Sequence, residues 1–312
     1  MNHQNFLSPS RGKVQSFNLL KLAIQTAKAD RNRYQPRQKQ LSMGRLPYFL
    51  IPNLKKPIFI VGAPRSGTTF LGSCLAALPE ISYHFEPVAT KAAARHIYQG
   101  DWGEIQGKLF YRAVYGWLMC KYGDGDLRFA EKTPRNCFIL DFLLQTFPDA
   151  KFIHIIRDGR DAALSYSKKP WLQASQAKSG LKEPGGYYFG PYARFWVELE
   201  RVKEFESTSD IHRCIWAWRR HTTSALTASS RISNHQYYEI RYETLVTNPA
   251  TVAEEILKYL AISDSFSCEQ FQQKVACAKP DSVAQWQKEL SLKQLAKIEE
   301  EAGDLLRQLG YE

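Results

Sequence analysis

The six cysteines of this chain (Cys74, Cys120, Cys137, Cys214, Cys268 and Cys277) lie far apart, and none forms a CxxC pair. That spacing argues against a zinc ribbon and a dense disulfide framework, and leaves them as small apolar side chains expected in the interior. Long hydrophobic runs are missing as well. No stretch approaches the about 18 apolar residues needed to span a bilayer. The first thirty residues lack the unbroken apolar core of a signal peptide, so the expected location is the cytosol. Acidic residues are nearly absent from the first 56 positions, where Asp30 stands alone against eleven lysines and arginines. The net charge of +11 therefore belongs to an N-terminal arm, and the chain from Pro57 onward is close to neutral. Nucleic acid is accordingly not the expected partner of the body of the protein.

The composition that remains is globular: 312 residues, 44% hydrophobic and 23% charged. Within the arm, residues 1–56, Val14, Phe17, Leu20, Ile24 and Ala27 recur at helical spacing with Lys21 and Lys28 between them. This pattern predicts a short basic amphipathic helix with three uses open to it: peripheral contact with an anionic membrane, docking on an acidic polymer, or packing of its apolar stripe on its own domain. From residue 57 to 312, short apolar runs alternate with longer helical patterns, predicting one α/β domain with a parallel central sheet flanked by helices. Ile58 to Val61 and Lys151 to Ile156 read as buried strands; Ile81 to Phe85, Leu127 to Ala130 and Gln236 to Arg241 are weaker strand candidates. Helical periodicity marks 71–78, 138–147, 195–205, 215–226, 252–260 and 295–309, with Trp216 and Trp218 as core. Residues 170–191, rich in Gly, Pro, Ser and Lys, read as a long binding loop or a disordered stretch.

Gly62-Ala63-Pro64-Arg65-Ser66-Gly67-Thr68-Thr69 follows the first strand and opens a helix. Its backbone N–H groups can converge on an anion at the positive end of the helix dipole, and the two threonines add hydroxyl donors. The pattern departs from the nucleotide-binding loop G-x-x-x-x-G-K-[ST] at one place: Thr68 stands where the lysine spans the β- and γ-phosphates. No clear acidic residue ends a strand to hold magnesium. A P-loop kinase or other phosphotransferase is thus the poorer reading, and a cradle for a less highly charged group the better one.

The loop, together with Lys151-Phe-Ile-His-Ile-Ile-Arg-Asp-Gly-Arg-Asp161, Ser165 and Glu131-Lys132-Thr133-Pro134, resembles the signature regions of sulfotransferases. These enzymes use 3′-phosphoadenosine 5′-phosphosulfate (PAPS), and the likeness is greatest to the tyrosylprotein and carbohydrate branches and their bacterial relatives. It extends over residues 57–249 and implies the P-loop nucleotide-hydrolase-like sulfotransferase fold. It also implies transfer of a sulfuryl group to an acceptor hydroxyl with release of PAP, the 3′,5′-bisphosphate. By the same resemblance Arg65, Ser66, Gly67, Thr68 and Thr69 hold the 5′-phosphosulfate, and Arg157 and Ser165 the 3′-phosphate. Lys169 stands where relatives carry an arginine, keeping the charge but losing the fork.

The residues agree on physical grounds. Arg157 sits where a buried strand ends, the place open α/β sheets bind ligands, and a guanidinium grips phosphate with two parallel bonds. Ser165 lies about two helical turns further on and can face the same pocket. Transfer to an alcohol needs a base near the acceptor and a cation near the bridging oxygen. Glu86, just past the strand ending His84-Phe85, matches the catalytic glutamate of the resembled branch, with His84 as its competitor. Lys132 stands where relatives place a lysine on the transferring group, and Tyr242 resembles an aromatic beside the adenine. A ring of Trp171, Tyr187, Tyr188, Phe189 and Tyr192 either lids the site or packs. A sulfuryl group bears a single negative charge, so no metal is expected. The acceptor stays open among saccharide, tyrosyl peptide and lipid-like alcohol, the resemblance favouring a carbohydrate or polymer. The remaining rival is a non-enzymatic module that binds through the basic arm.

Overall fold

A computed structural model describes residues 47–48 and 51–311; the expected amphipathic helix of the arm lies outside the described residues. Five strands form one sheet: β1 (Ile58–Val61), β2 (Ile81–Phe85), β3 (Arg128–Lys132), β4 (Lys151–Ile156) and β5 (Tyr237–Arg241), in the order β2-β3-β1-β4-β5. Every ladder is parallel. The helices α1 (Thr68–Leu75), α2 (Val88–Gln99), α3 (Glu104–Lys121), α4 (Leu140–Thr146) and α5 (Gly159–Ser167) fill the crossovers up to and just beyond β4. They are followed by α6 (Val202–Ser207) and α7 (Asp210–Ser229) before β5, then α8 (Tyr242–Thr247), α9 (Pro249–Leu260), α10 (Ser265–Val275), α11 (Trp286–Glu289) and α12 (Leu292–Gln308).

The two-residue period of a strand sorts the core into two layers. Ile58, Ile60, Ala130, Ile153, Ile155 and Ile240 point to one face, where Leu71 and Leu75 of α1 and Val252 and Ile256 of α9 meet them. Phe59, Val61, Phe129 and Phe152 point to the other, against Tyr111 and Tyr115 of α3 and Trp216 of α7. A sheet covered on both faces must be apolar on both, which is why β1 and β4 read as unbroken hydrophobic runs. The chain leaves β1 toward β2 on one side and leaves β4 toward β5 on the other, so a crevice opens between the C-terminal ends of β1 and β4.

Several sequence expectations shift. β3 begins one residue later than its apolar run and continues through Glu131 and Lys132, because the buried Glu131 carboxylate accepts from Tyr115 Oη at 2.5 Å, Asn136 Nδ2 at 2.7 Å and Thr133 Oγ1 at 3.1 Å. Helix is absent from 195–198, and Leu199–Arg201 form only a 3-10 turn. Phe195, Trp196 and Val197 are buried one after another, which no single helical face permits, and α6 starts only at Val202. Residues 138–147 form a 3-10 turn (Pro134–Phe138) and then α4. The 170–191 segment holds two 3-10 turns and an isolated antiparallel bridge between Lys182 and Tyr188. All six cysteines are free thiols, but only Cys74, Cys137 and Cys214 are buried; Cys277 is exposed at the end of α10. Among the described residues no helix is long and apolar enough to cross a membrane.

Among the described residues four histidines are buried, and two of them, His154 and His221, are strongly shifted by it. His154 on β4 bonds Tyr237 Oη at 2.6 Å, and His221 on α7 donates to Ala217 O at 2.7 Å. Burial pushes both imidazoles down to about 3. A depressed imidazole favours folding fully above its unfolded value, near 6.5, and that contribution is lost as pH falls from there toward 3. Each histidine should cost about 1.4 kcal/mol of stability between pH 7.5 and 5.5. Denaturant melts at the two pH values, with His221→Phe removing one share of the difference, check this.

Candidate active site

The crevice between β1 and β4 is walled by the loop after each strand. In the first loop, Gly62 has φ 152° and Gly67 φ 93°, and Arg65 itself adopts φ 72°. A Cβ on Gly62 would lie 2.5 Å from Ile155 O, and one on Gly67 would lie 2.5 Å from the Tyr242 ring, so both glycines are required by close approach. Ser66 is fully buried, and its Oγ finds no hydrogen-bond partner among the described residues. Thr68 is buried at the first position of α1, while Thr69 is exposed.

The second loop comes to the first. Val61, the last residue of β1, pairs with His154, so β4 runs on past it and delivers Arg157 over the loop. Arg157 Nη1 donates to Arg65 O at 3.0 Å, and its guanidinium lies 4.6 Å over the Tyr242 ring. Arg65 Nε donates to Ser165 Oγ at 3.0 Å. Arg65, Gly67, Arg157, Ser165 and Tyr242, drawn from three distant stretches of sequence, are thereby in one cluster. Burial and the neighbouring Arg157 both lower the Arg65 guanidinium, a like-charge crowding that a bound anion would relieve. Arg157 Nε has no partner among the described residues. Among the described residues the Lys169 side chain makes no hydrogen bond or ion pair with this cluster, and its backbone N–H donates to Tyr166 O at 2.9 Å.

Sequence reasoning missed the segment that closes this cluster. Ser282 O accepts from Arg157 Nη2, and Ser282 Oγ bonds Tyr242 Oη at 2.6 Å. The segment is held by Asp161, whose carboxylate accepts Ala284 N at 2.7 Å and Trp286 N at 2.9 Å. Arg160 lies 3.9 Å over the Trp286 ring. Its only sequence signal is the turn-forming Pro280-Asp281-Ser282, which reveals a turn and not its destination. Trp218, expected as core, is core and also a support: its Nε1 donates to Arg157 O at 3.0 Å.

Beside the loop, across β3, stand Glu86 and Lys132. The register places Lys132 opposite both Ile60 and Phe85, at the C-terminal edge next to the cradle. Glu86 has φ 44°, a left-handed backbone unusual for glutamate, and its N–H donates to Lys132 O at 3.0 Å. Its Oε1 is held by Lys132 Nζ and its Oε2 by Lys91 Nζ at 2.6 Å. Burial alone would raise this carboxyl, but the two ammonium groups outweigh it and hold Glu86 down to about 2. His84 points the other way: it is buried, stacked on Phe129 at 5.0 Å, with Nε2 on Ser82 Oγ at 3.0 Å.

The loop aromatics do not form one ring. Tyr187 lies between the guanidinium groups of Arg135 and Arg194, at 4.9 and 4.8 Å; Trp171 packs on Tyr166; Tyr188 and Tyr192 are exposed. Elsewhere Glu204, His212 and Glu301 bring ligand atoms within 4.8 Å of one another. Glu301 already accepts from Arg201 at 2.8 Å and Arg219 at 2.7 Å, which makes this group an ion-pair network.

Fold and site define an open parallel α/β protein with a glycine-bounded strand-to-helix loop at its switch point. The model of the sulfotransferase family matches residues 57–266, and the chain belongs to that family. An uncharacterized protein of Aquifex aeolicus (strain VF5) is 27% identical over 221 residues, 66% of this chain and 25% of that protein. Protein-tyrosine sulfotransferase A of Caenorhabditis elegans is 31% identical over 119 residues, 33% of this chain and 30% of that protein. The chain thus spans between a quarter and a third of the length of these relatives. Among solved structures, the sulfotransferase domain from the curacin biosynthetic pathway superposes with a TM-score of 0.50 at 17% identity, covering 83% of this chain and 99% of that one, a likeness of fold.

Gly67→Ala should destabilise the fold by about 2–4 kcal/mol, combining left-handed strain with overpacking against Tyr242. Chemical denaturation of the purified variant reads this directly. Wild-type stability would show that the loop is not held by that contact.

Proposed function

We propose that the chain transfers a sulfuryl group from PAPS to an acceptor hydroxyl and releases PAP. The observation that carries this reading is the meeting of two sequence-distant anion-binding loops through Arg157, Arg65 and Ser165. The residues fit such a donor: Ser66 Oγ and Arg157 Nε are interior donors left without partners, as an anion-binding site requires when it is read by itself. The loop amides with Arg65, Ser66, Thr68 and Thr69 hold the 5′-phosphosulfate, and Arg157 with Ser165 the 3′-phosphate. Tyr242 flanks the adenosine, and Lys169 adds charge at the rim.

In the transfer, the acceptor oxygen bonds sulfur as the bond from sulfur to the bridging phosphate oxygen breaks. The electron pair leaves with the phosphate, where Lys132 offsets the developing charge. The acceptor proton passes to the Glu86 carboxylate. A carboxylate held near 2 is a weak base toward a free alcohol, so the proton moves late, once bonding to sulfur has made the oxygen acidic. The acceptor class is a hydroxyl of a saccharide, tyrosyl peptide or lipid-like alcohol. In this reading the protein works in the cytosol, with the basic arm, residues 1–56, making a peripheral membrane contact.

The test compares thermal stabilisation by PAP and by ADP, followed by transfer of labelled sulfate to a panel of hydroxyl acceptors. PAP should stabilise and ADP should not; equal shifts would favour a general nucleotide-binding module. Arg157→Ala should weaken PAP binding by about 1.5–3 kcal/mol, the scale of a charge-assisted hydrogen bond, and leave any residual ADP binding unchanged. Glu86→Gln should lower turnover about 10²- to 10⁴-fold with PAP affinity retained. Because Glu86 stays ionised down to about 2, the wild-type pH profile of kcat/KM should show no acidic limb from this group between pH 4 and 8.

A further inference from the structure

Glu86 belongs to a chain of alternating charges. Lys132 holds one of its oxygens and Lys91 the other; Lys91 Nζ is also 3.8 Å from Glu183 Oε2, and Glu183 Oε1 is 2.5 Å from Arg135 Nη2. All five side chains are largely buried, with Lys132 2%, Lys91 11% and Glu86 17% exposed. The members come from separate elements: Lys132 from the end of β3, Glu86 from the end of β2, and Lys91 from the first turn of α2. Glu183 comes from the 170–191 loop and Arg135 from the 3-10 turn after β3. Arg194 adds its field at Glu183 from the far side. Among the described residues, Lys132 and Lys91 thus face Glu86 directly, Glu183 through Lys91, and Arg135 and Arg194 through Glu183.

The two lysines have different neighbours. Lys132 sits at the strand edge beside the anion-binding loop, in register with Ile60. Lys91 has a carboxylate on each side, Glu86 and Glu183. An anionic donor in the cradle would compete for the ammonium of Lys132, whereas Lys91 is held between Glu86 and Glu183. Glu86 would then lose one of its two anchors at the moment its direction matters most. A carboxylate on a left-handed backbone, with a single rotatable side chain, needs a second anchor to stay aimed at the acceptor.

We propose that Lys91 is the positioning residue of this site, keeping the Glu86 carboxylate aimed while the ammonium of Lys132 engages the donor. It also couples the base to the 170–191 loop through Glu183, so the seating of that loop and the orientation of Glu86 are set together. This rests on the sulfuryl-transfer reading for what draws on Lys132, and its test includes a measurement that does not.

That measurement is the carboxyl titration of Glu86 by carbon NMR on glutamate-labelled protein, the resonance assigned with Glu86→Gln, in wild type, Lys91→Met and Lys91→Arg, each with and without saturating PAP. Wild type should stay ionised across the accessible range with or without PAP. In Lys91→Met the titration should move up toward the ordinary glutamate range, and further up when PAP is added; Lys91→Arg should restore the wild-type curve. In steady state, Lys91→Met should lower kcat about tenfold or more with the donor KM within about twofold, and should give the pH profile an acidic limb that wild type lacks. Lys91→Gln serves as the second neutral variant should the methionine variant not fold. An unchanged Glu86 titration in a folded neutral variant overturns the proposal. So does a loss of kcat equal at every pH and not rescued by arginine, the signature of a packing role. If wild type moves no sulfuryl group to any acceptor, the proposed reaction fails, while the titration without PAP still decides whether Lys91 anchors Glu86.

Discussion

The site depends on one contact between like-charged residues. Arg157, carried past the end of β1 by the longer β4, donates to the backbone carbonyl of Arg65, and so binds the second loop to the first without neutralising either guanidinium. Two cations held close by neutral hydrogen bonds make a region that favours an anion. The supports behind the contact are uncharged or paired: Trp218 holds the Arg157 carbonyl, Ser282 the guanidinium, and Asp161 is used up by backbone amides. No carboxylate reaches the two arginines by a direct ion pair among the described residues, so their charge remains available to a ligand.

Around Glu86 the logic is the reverse. There each carboxylate is matched by ammonium or guanidinium, and the alternation carries charge from the sheet edge to the 170–191 loop. Such pairs repay their desolvation only where geometry is tight, and each member here comes from a different element, so the network also fixes how those elements sit. The two regions meet at Lys132, which lies between a fully paired carboxylate and the anion-binding loop.

Much of this was legible in the sequence because local physics dictated it. Ile58–Val61 and Lys151–Ile156 are buried on both faces, so their runs are continuous and their bounds appear residue for residue. Gly62 and Gly67 announce a turn that only glycine tolerates, and Arg157 and Ser165 stand at fixed spacing after a strand. What was hidden depends on tertiary placement. The charged end of β3 looks unlike a buried strand until Tyr115, Asn136 and Thr133 are seen around Glu131. Lys91 carries no signal of its own in the sequence, and its partners Glu86 and Glu183 are brought together only by the fold. Lys169 follows the end of α5, just before a 3-10 turn, and among the described residues its side chain makes no hydrogen bond or ion pair with the cluster.

The anchoring of Ala284 and Trp286 by Asp161 reaches beyond its local hydrogen bonds. The family match ends at residue 266, whereas the groups that complete the grip on Arg157 come after it. A fragment trimmed to the matched boundary retains every strand of the sheet and both signature loops, yet loses the clasp over the guanidinium. The seating of the Arg157 guanidinium is in this sense set by residues near the C-terminus as much as by the two loops themselves.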